Sequence, residues 1–181
     1  MKVLAIYGSP RKDGNSARMI NAALTEFGDD DEIHRIYLAE MTVAGCGPGR
    51  DCLETGECTI RDDMQQIYED LRWSDIVLIA TPCEFSDVSS DVKKMMERTW
   101  CMKGELKNKI GGYVISARRY IESTINTLHA FMLRHQMILG GTGAVGYTFT
   151  ENGTIDGDSL AIEDSHKTGK RLIEIYRLMH G

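Results

Sequence analysis

The chain lacks a long hydrophobic run and an excess of basic residues. No apolar stretch in its 181 residues approaches the ~20 residues that cross a bilayer, and the short apolar run at the start leads into a turn, not a cleavage site. The net charge is −6, from 21 Lys plus Arg against 27 Asp plus Glu, which argues against nucleic-acid binding. We therefore expect a cytoplasmic protein that binds neither membrane nor nucleic acid.

The chain has an odd number of cysteines. Five cysteines in a chain without a secretory signal argue against a disulfide framework. Three of them, Cys46, Cys52 and Cys58, lie in a glycine-rich stretch over residues 41–61, which predicts a long loop with a functional or metal-binding role. The chain length suits one domain over residues 1–181.

The segment KVLAIYGSPRKDGNS organises the rest of the chain. Its five consecutive apolar residues predict a strand buried on both faces, followed by a polar turn and a helix that Asn15 or Ser16 can cap. The free N–H groups of such a helix start suit a phosphate, and Ser9 and Arg11 add a hydroxyl and a guanidinium. The alternative is an ordinary turn before a well-capped helix.

Strand and helix patterns alternate along the chain, which predicts βαβ units and a parallel sheet. Further strands are predicted at residues 33–38, 76–80, 110–116 and 137–147, and helices at 62–71, 88–101, 121–133 and 158–179. We predict a flavodoxin-like three-layer α/β fold with a five-stranded parallel sheet in the order 2-1-3-4-5 and helices on both faces. The loops at residues 8–15, 81–87 and 116–120 then meet at the carboxyl edge, where such sheets bind ligands.

Three motifs occur in an order that resembles a known family. GSPRKDGNS, CLETGECTIRDDM and TPCEFSDVSSDVKKMMERT together are similar to the NADPH-dependent FMN reductase-like flavoproteins, and within them to the iron–sulfur flavoprotein branch. The resemblance implies bound FMN, NAD(P)H as electron donor, and a homodimer or homotetramer in which two subunits complete the flavin site.

The resemblance also implies a set of FMN-binding residues on three loops, while the cofactor carries the chemistry and no catalytic side chain is assigned. Ser9, Arg11, Asn15 and Ser16 would hold the phosphate; Thr81, Pro82, Cys83, Glu84, Phe85 and Ser86 would line the isoalloxazine ring; Ser116, Ala117 and Arg118 would approach its other side. Glu84 departs from the tyrosine usual in the family. Its carboxylate either pairs with Arg118 or Arg119 beside the flavin or points to solvent.

The cysteine loop also departs from the iron–sulfur branch, which carries a fourth cysteine where Gly49 stands here. A [4Fe–4S] cluster usually takes four thiolates, although three can hold one when water or a small thiol binds the fourth iron. Of the other cysteines, Cys83 belongs to the flavin loop, and Cys101 is placed by the sequence at the far end of the next helix. We therefore predict no cluster and assign no metal. The three loop cysteines remain candidates for zinc, with Asp51 or water as a further ligand, or for free thiols.

Three functional hypotheses follow from the sequence. The first is an FMN-dependent oxidoreductase that takes hydride from NAD(P)H and passes electrons to a small acceptor such as a quinone, a flavin or a metal complex. The second is an FMN-binding electron carrier without NAD(P)H turnover, and the third is a partner-binding module without flavin. The Met- and Trp-rich stretch at residues 95–102 either packs in the core or joins an interface at residues 84–98.

Overall fold

The computed structural model describes residues 1–49, 52–149 and 153–181. Its strands are β1 (Lys2–Tyr7), β2 (Glu32–Tyr37), β3 (Ile76–Pro82), β4 (Ile110–Ala117), β5 (Ile138–Leu139) and β6 (Ala144–Tyr147). Its helices are α1 (Asn15–Leu24), α2 (Cys52–Thr55), α3 (Met64–Trp73), α4 (Ser90–Arg98), α5 (Glu122–Arg134) and α6 (Ser159–His180). Three single 3₁₀ turns cover Leu38–Glu40, Thr99–Cys101 and Ile155–Gly157.

The strands form one parallel sheet in the order β2-β1-β3-β4-β5, which confirms the predicted flavodoxin-like fold. The predicted fifth strand is split in two, since β5 pairs with the beginning of β4 and β6 pairs with its end. The glycine-rich segment 140–143 separates the two pieces, although Gly140 N–H still donates to Gly111 O at 2.7 Å. The six strands of the described residues therefore occupy five positions in the sheet.

The core lies on both faces of the sheet because the central strands are apolar on both sides. In β1, Leu4 and Ile6 face α3, α4 and α5, whereas Val3, Ala5 and Tyr7 face α1 and α6. All five are almost completely buried. This double burial explains why the strands read as continuous apolar runs in the sequence rather than as alternating ones.

Helices α1 and α6 pack closely because Gly169 has no side chain. A Cβ atom at Gly169 would lie 2.2 Å from the carbonyl oxygen of Ala23, so any larger residue would push the two helices apart. This contact fixes α1, and with it the turn that precedes α1 at the carboxyl edge of the sheet.

The Met- and Trp-rich stretch divides between core and surface. Met95 and Met102 are fully buried against the sheet, as the core interpretation predicts, while Trp100 is partly exposed. The Arg134 guanidinium stacks over the Trp100 ring at 3.9 Å from the ring centroid.

Within the described residues, no helix is long and apolar enough to cross a membrane.

Candidate functional site

The three predicted loops meet at the carboxyl edge of the sheet, and Gly8 begins the first of them. Gly8 N–H donates to Ala80 O at 2.8 Å, and the Ser89 hydroxyl donates to Gly8 O at 2.7 Å. A Cβ atom at Gly8 would lie 2.3 Å from Val92 Cγ2. Only glycine therefore allows α4 to approach β1 so closely, and this approach places the first two loops side by side.

The N terminus of α1 differs from the predicted cap. The capping position is Gly14, not Asn15 or Ser16, and no side chain of the described residues caps the helix. The first turn also carries no acidic residue, while the Ser9 hydroxyl and the exposed Arg11 lie in the preceding turn. Uncapped N–H groups, a positive helix end and a guanidinium together suit an anionic group.

The side chains of Asn15 and Ser16 are not free to face a phosphate in this structure. The Asn15 amide donates to Gly153 O at 3.1 Å, and its oxygen accepts from Ile155 N–H at 3.2 Å. Asn15 therefore ties the segment before α6 to the start of α1, across 138 residues of sequence. Ser16 is buried in the first turn. The assignment of these two residues to a phosphate stays a prediction.

The second loop forms a tight turn between β3 and α4. Glu84 N–H donates to Asp87 O at 2.8 Å and Asp87 N–H donates to Glu84 O at 3.0 Å, so Phe85 and Ser86 form the tip. Both tip residues have left-handed backbone conformations, with φ of 48° and 65°, which cost energy for residues other than glycine. Phe85 is fully exposed and Glu84 is exposed, so an aromatic ring stands free at this edge.

Cys83 connects the second loop to the third, which follows β4. Its N–H donates to Ser116 O at 2.8 Å, and its sulfur lies 3.7 Å from Tyr120 O. The Thr124 hydroxyl, at the start of α5, donates to the same sulfur at 3.2 Å. Thr81, at the end of β3, holds the start of α4 in place, because its hydroxyl accepts a hydrogen bond from Ser89 N–H at 3.0 Å.

The third loop exposes charge and a second aromatic ring. Ala117 is buried at the end of β4, whereas Arg118, Arg119 and Tyr120 are exposed. Tyr120 has φ of 59° and is 65% exposed. The edge thus presents two exposed aromatic rings on strained backbone, with arginines beside one of them.

The cysteine loop is anchored by a buried ion pair that the sequence analysis missed. Arg98, at the end of α4, donates two hydrogen bonds to Asp62, at 2.6 and 3.0 Å, and one each to Ala44 O and Ile60 O at 3.0 Å. Its side chain is 0% exposed. The signal in the sequence was an arginine three residues after Met95, on the apolar face of its helix.

The ion pair sets the pKa of the Asp62 carboxyl. Burial alone would raise this pKa, but the Arg98 guanidinium and the N–H groups of Ala44 and Met64 stabilise the carboxylate and hold the pKa below its usual value. Asp62 therefore stays charged and keeps both ends of the cysteine loop against α4.

Cys101 follows α4, as the sequence predicts, but the cysteine loop folds back onto this end of the helix, which the sequence analysis missed. Cys58, Cys101 and Tyr68 line one small cavity there, and the Tyr68 hydroxyl donates to Arg98 O at 2.7 Å. The Cys101 sulfur is 3.5 Å from the same oxygen.

The cysteine loop is where the sequence analysis placed candidate zinc ligands and predicted no iron–sulfur cluster. Across residues 1–49, 52–149 and 153–181, no three His, Cys, Asp or Glu side chains are arranged to hold a metal ion. Gly49 supplies no ligand, and Cys46 is exposed. Asp51, the other predicted zinc ligand, lies outside the described residues. The prediction that no cluster is bound stays a prediction.

The comparisons with known proteins agree with the fold and identify a family. Residues 1–150 match the family model of NADPH-dependent FMN reductase. An iron-sulfur flavoprotein of Methanocaldococcus jannaschii is 32% identical, with 99% of each chain covered. An iron-sulfur flavoprotein of Methanosarcina thermophila is 29% identical, and the match covers 99% of this chain and 97% of that protein.

Solved structures give the same fold at low sequence identity. RosB with a bound riboflavin-phosphate intermediate superposes with a TM-score of 0.81 at 16% identity, over 99% of this chain and 80% of its own. An NAD(P)H:quinone oxidoreductase of Methanothermobacter marburgensis has a TM-score of 0.69 at 13% identity, over 95% and 96%. The chain therefore belongs to the NADPH-dependent FMN reductase family and is a flavin-dependent oxidoreductase related to the iron-sulfur flavoproteins.

Proposed function

We propose that this protein is an NAD(P)H-dependent FMN oxidoreductase with its cofactor at the carboxyl edge of the sheet. The observation that carries the proposal is the uncapped start of α1, beside Ser9 and Arg11 and next to the two other edge loops. FMN supplies the acceptor of the donor's hydride and the source of electrons for a small acceptor such as a quinone, a flavin or a metal complex.

The residues of the first loop fit the cofactor phosphate. The dianion would accept hydrogen bonds from the first-turn N–H groups of α1, with Ser9 and Arg11 as side-chain donors. No acidic residue of that turn opposes it. The close contact between Gly8 and α4 keeps this loop beside the second loop, so phosphate and ring would bind to one rigid edge.

The second and third loops fit the ring of the cofactor. The Cys83 contacts to Ser116 and Tyr120 join these loops and fix their spacing. Phe85 and Tyr120 add flat apolar surface at the same edge. Glu84 is exposed there, and its charge would disfavour an anionic reduced ring unless Arg118 or Arg119 compensates it.

A second copy of the chain is the proposed partner at this edge. A fully exposed phenylalanine on a strained turn is costly in a monomer, because it keeps apolar surface in water and gains no packing. In a homodimer or homotetramer, Phe85 of one subunit would pack on its neighbour and close the flavin site from outside. No membrane or nucleic-acid partner is proposed.

Arg11→Ala tests the phosphate site. Loss of a charge-assisted contact should weaken FMN binding by about 1.5–3 kcal/mol, or about 10- to 150-fold in Kd, measured by quenching of flavin fluorescence. Lys12→Ala is the matched control, since Lys12 is exposed on the same turn and already pairs with Glu40, and its Kd should change less than about threefold. An unchanged Kd for Arg11→Ala would refute the site.

Steady-state NADPH and NADH oxidation by the FMN-loaded protein tests the reaction. Turnover with a quinone or ferric complex supports the oxidoreductase. Bound FMN without pyridine-nucleotide oxidation would refute the proposed donor and favour the electron-carrier alternative.

A further inference from the structure

A second cavity lies at the end of the molecule opposite the edge loops. Helices α4 and α5 each begin just after an edge loop and run away from it, and the 13 residues of α5 extend about 20 Å. The cavity is located where both helices end and is therefore separate from the proposed flavin site. Its volume of about 540 Å³ is within the range of small-molecule sites. It is lined by Leu53, Trp100, Lys103, Gly104, Arg134, His135 and Gln136.

The charged side chains that line this cavity are basic. Lys103 and Arg134 are both exposed, and no acidic residue is among the described lining residues. Neither cation forms an ion pair with a carboxylate of the described chain. The cavity therefore has two positive charges that a small anion can approach.

Arg134 is held in place by an aromatic ring and not by an acidic partner. Its guanidinium stacks over the Trp100 ring at 3.9 Å from the centroid. Stacking uses the face of the guanidinium and leaves its N–H groups, which lie in the plane, able to bind a carboxylate in bidentate fashion. Trp100 is 38% exposed and Leu53 is 56% exposed, so apolar surface for a flat ring lies beside the charge.

His135 supplies a hydrogen-bond acceptor of defined position. Its Nε2 lies 2.9 Å from the Thr99 hydroxyl oxygen, and that hydroxyl already donates to Met96 O at 2.7 Å. Since a hydroxyl has one hydrogen, Nε2 must carry the ring proton and donate to Thr99. The lone pair of the neutral ring is then on Nδ1, which has no donor among the described residues. Burial and the Arg134 charge lower the pKa of His135, which keeps the ring neutral at neutral pH.

The end of α5 does not oppose an anion with free carbonyl groups. The carbonyls of its last turn are satisfied by the N–H groups that follow, with Gln136 in a left-handed conformation at φ of 56°. These bonds run from His135 N–H to Phe131 O, from Gln136 N–H to Leu133 O and from Met137 N–H to Met132 O.

We propose that this cavity binds a planar aromatic hydroxy acid. The carboxylate would bind Arg134 and Lys103, and the hydroxyl would donate to His135 Nδ1. The ring would pack against Leu53 and Trp100. This binding site is distinct from the flavin site and does not depend on the proposed reaction.

Isothermal titration calorimetry of the full, FMN-loaded chain tests the site with four probes. These are 3-hydroxy-2-naphthoate and 6-hydroxy-2-naphthoate, in which the hydroxyl is near to or far from the carboxylate, 2-naphthoate, which lacks the hydroxyl, and 2-naphthol, which lacks the carboxylate. One of the two hydroxynaphthoates should bind about three- to tenfold more tightly than 2-naphthoate, as one neutral hydrogen bond predicts. It should bind at least about tenfold more tightly than 2-naphthol, because the charge-assisted contact is lost there.

Three variants assign these differences to residues. Arg134→Gln should weaken the tighter hydroxynaphthoate at least about tenfold and change the Kd of 2-naphthol less than about twofold. His135→Phe should remove the advantage of the hydroxynaphthoate over 2-naphthoate. Lys107→Gln is the matched control, since Lys107 is exposed on the same turn as Lys103 but does not line the cavity, and its Kd should stay within about twofold of wild type.

Three results would overturn the proposal. The first is no binding of any carboxylate probe at about 5 mM, beyond the weakest specific affinities. The second is equal binding by Arg134→Gln and wild type. The third is a probe that changes the FMN absorbance to the same extent in both proteins, which places it at the flavin. If His135→Phe loses its fold by circular dichroism, the comparison of the hydroxynaphthoates with 2-naphthoate still tests the hydroxyl contact, and equal affinities would refute it.

Discussion

Removal of the buried Arg98 should destabilise the protein more than any surface charge change. In Arg98→Ala, Asp62 loses two of its hydrogen bonds and its counter-charge while its side chain remains 8% exposed. Removing one partner of a buried ion pair costs about 3–5 kcal/mol, because the remaining charge is left uncompensated. With a urea slope of about 2 kcal/mol per molar, the unfolding midpoint should fall by about 1.5–2.5 M.

Urea unfolding followed by circular dichroism measures this loss, with Arg171→Ala as the control. Arg171 pairs with Glu174 on the exposed face of α6 at 3.2 Å, so its removal should change the free energy of unfolding by less than about 0.5 kcal/mol.

A double variant separates the buried charge from the packing around it. Arg98→Met combined with Asp62→Leu removes both charges and should recover at least half of the loss. A loss below 1 kcal/mol for Arg98→Ala would refute the anchoring role of the ion pair.

Two further predictions concern acid stability and the exposed turn. Because the folded pKa of Asp62 is lowered, its contribution to stability is complete above the unfolded pKa of about 3.9 and is lost as the pH falls through the folded value. In Asp62→Asn, the free energy of unfolding should therefore fall less between pH 5 and pH 2.5 than in the wild type. An equal fall in both proteins would contradict this assignment. Phe85→Gly should stabilise the chain by about 0.5–1 kcal/mol by relieving its left-handed backbone, yet weaken self-association in sedimentation velocity. Ser86→Gly relieves the same kind of strain without removing a ring, so it should give a similar gain and leave self-association unchanged; equal association in both variants would contradict the proposed interface.

The sequence alone was sufficient for the fold and for the three edge loops. Strands buried on both faces appear as short apolar runs, and helices as amphipathic periods, so both are local signals. Their alternation implies a parallel sheet, and right-handed crossovers bring the loops after β1, β3 and β4 to one edge. Where the local signal was weak, at the glycines of residues 140–143, the predicted strand was split by the structure into β5 and β6.

Only the tertiary structure decided which distant residues meet. Asn15 resembles a helix cap in the sequence, but its amide binds a segment 138 residues away, and Gly14 takes the capping position. Cys101 is distant from the cysteine loop in the sequence, but the Arg98–Asp62 pair holds that loop against the end of α4. Such contacts depend on how the elements pack against one another, and no local period or spacing encodes that packing.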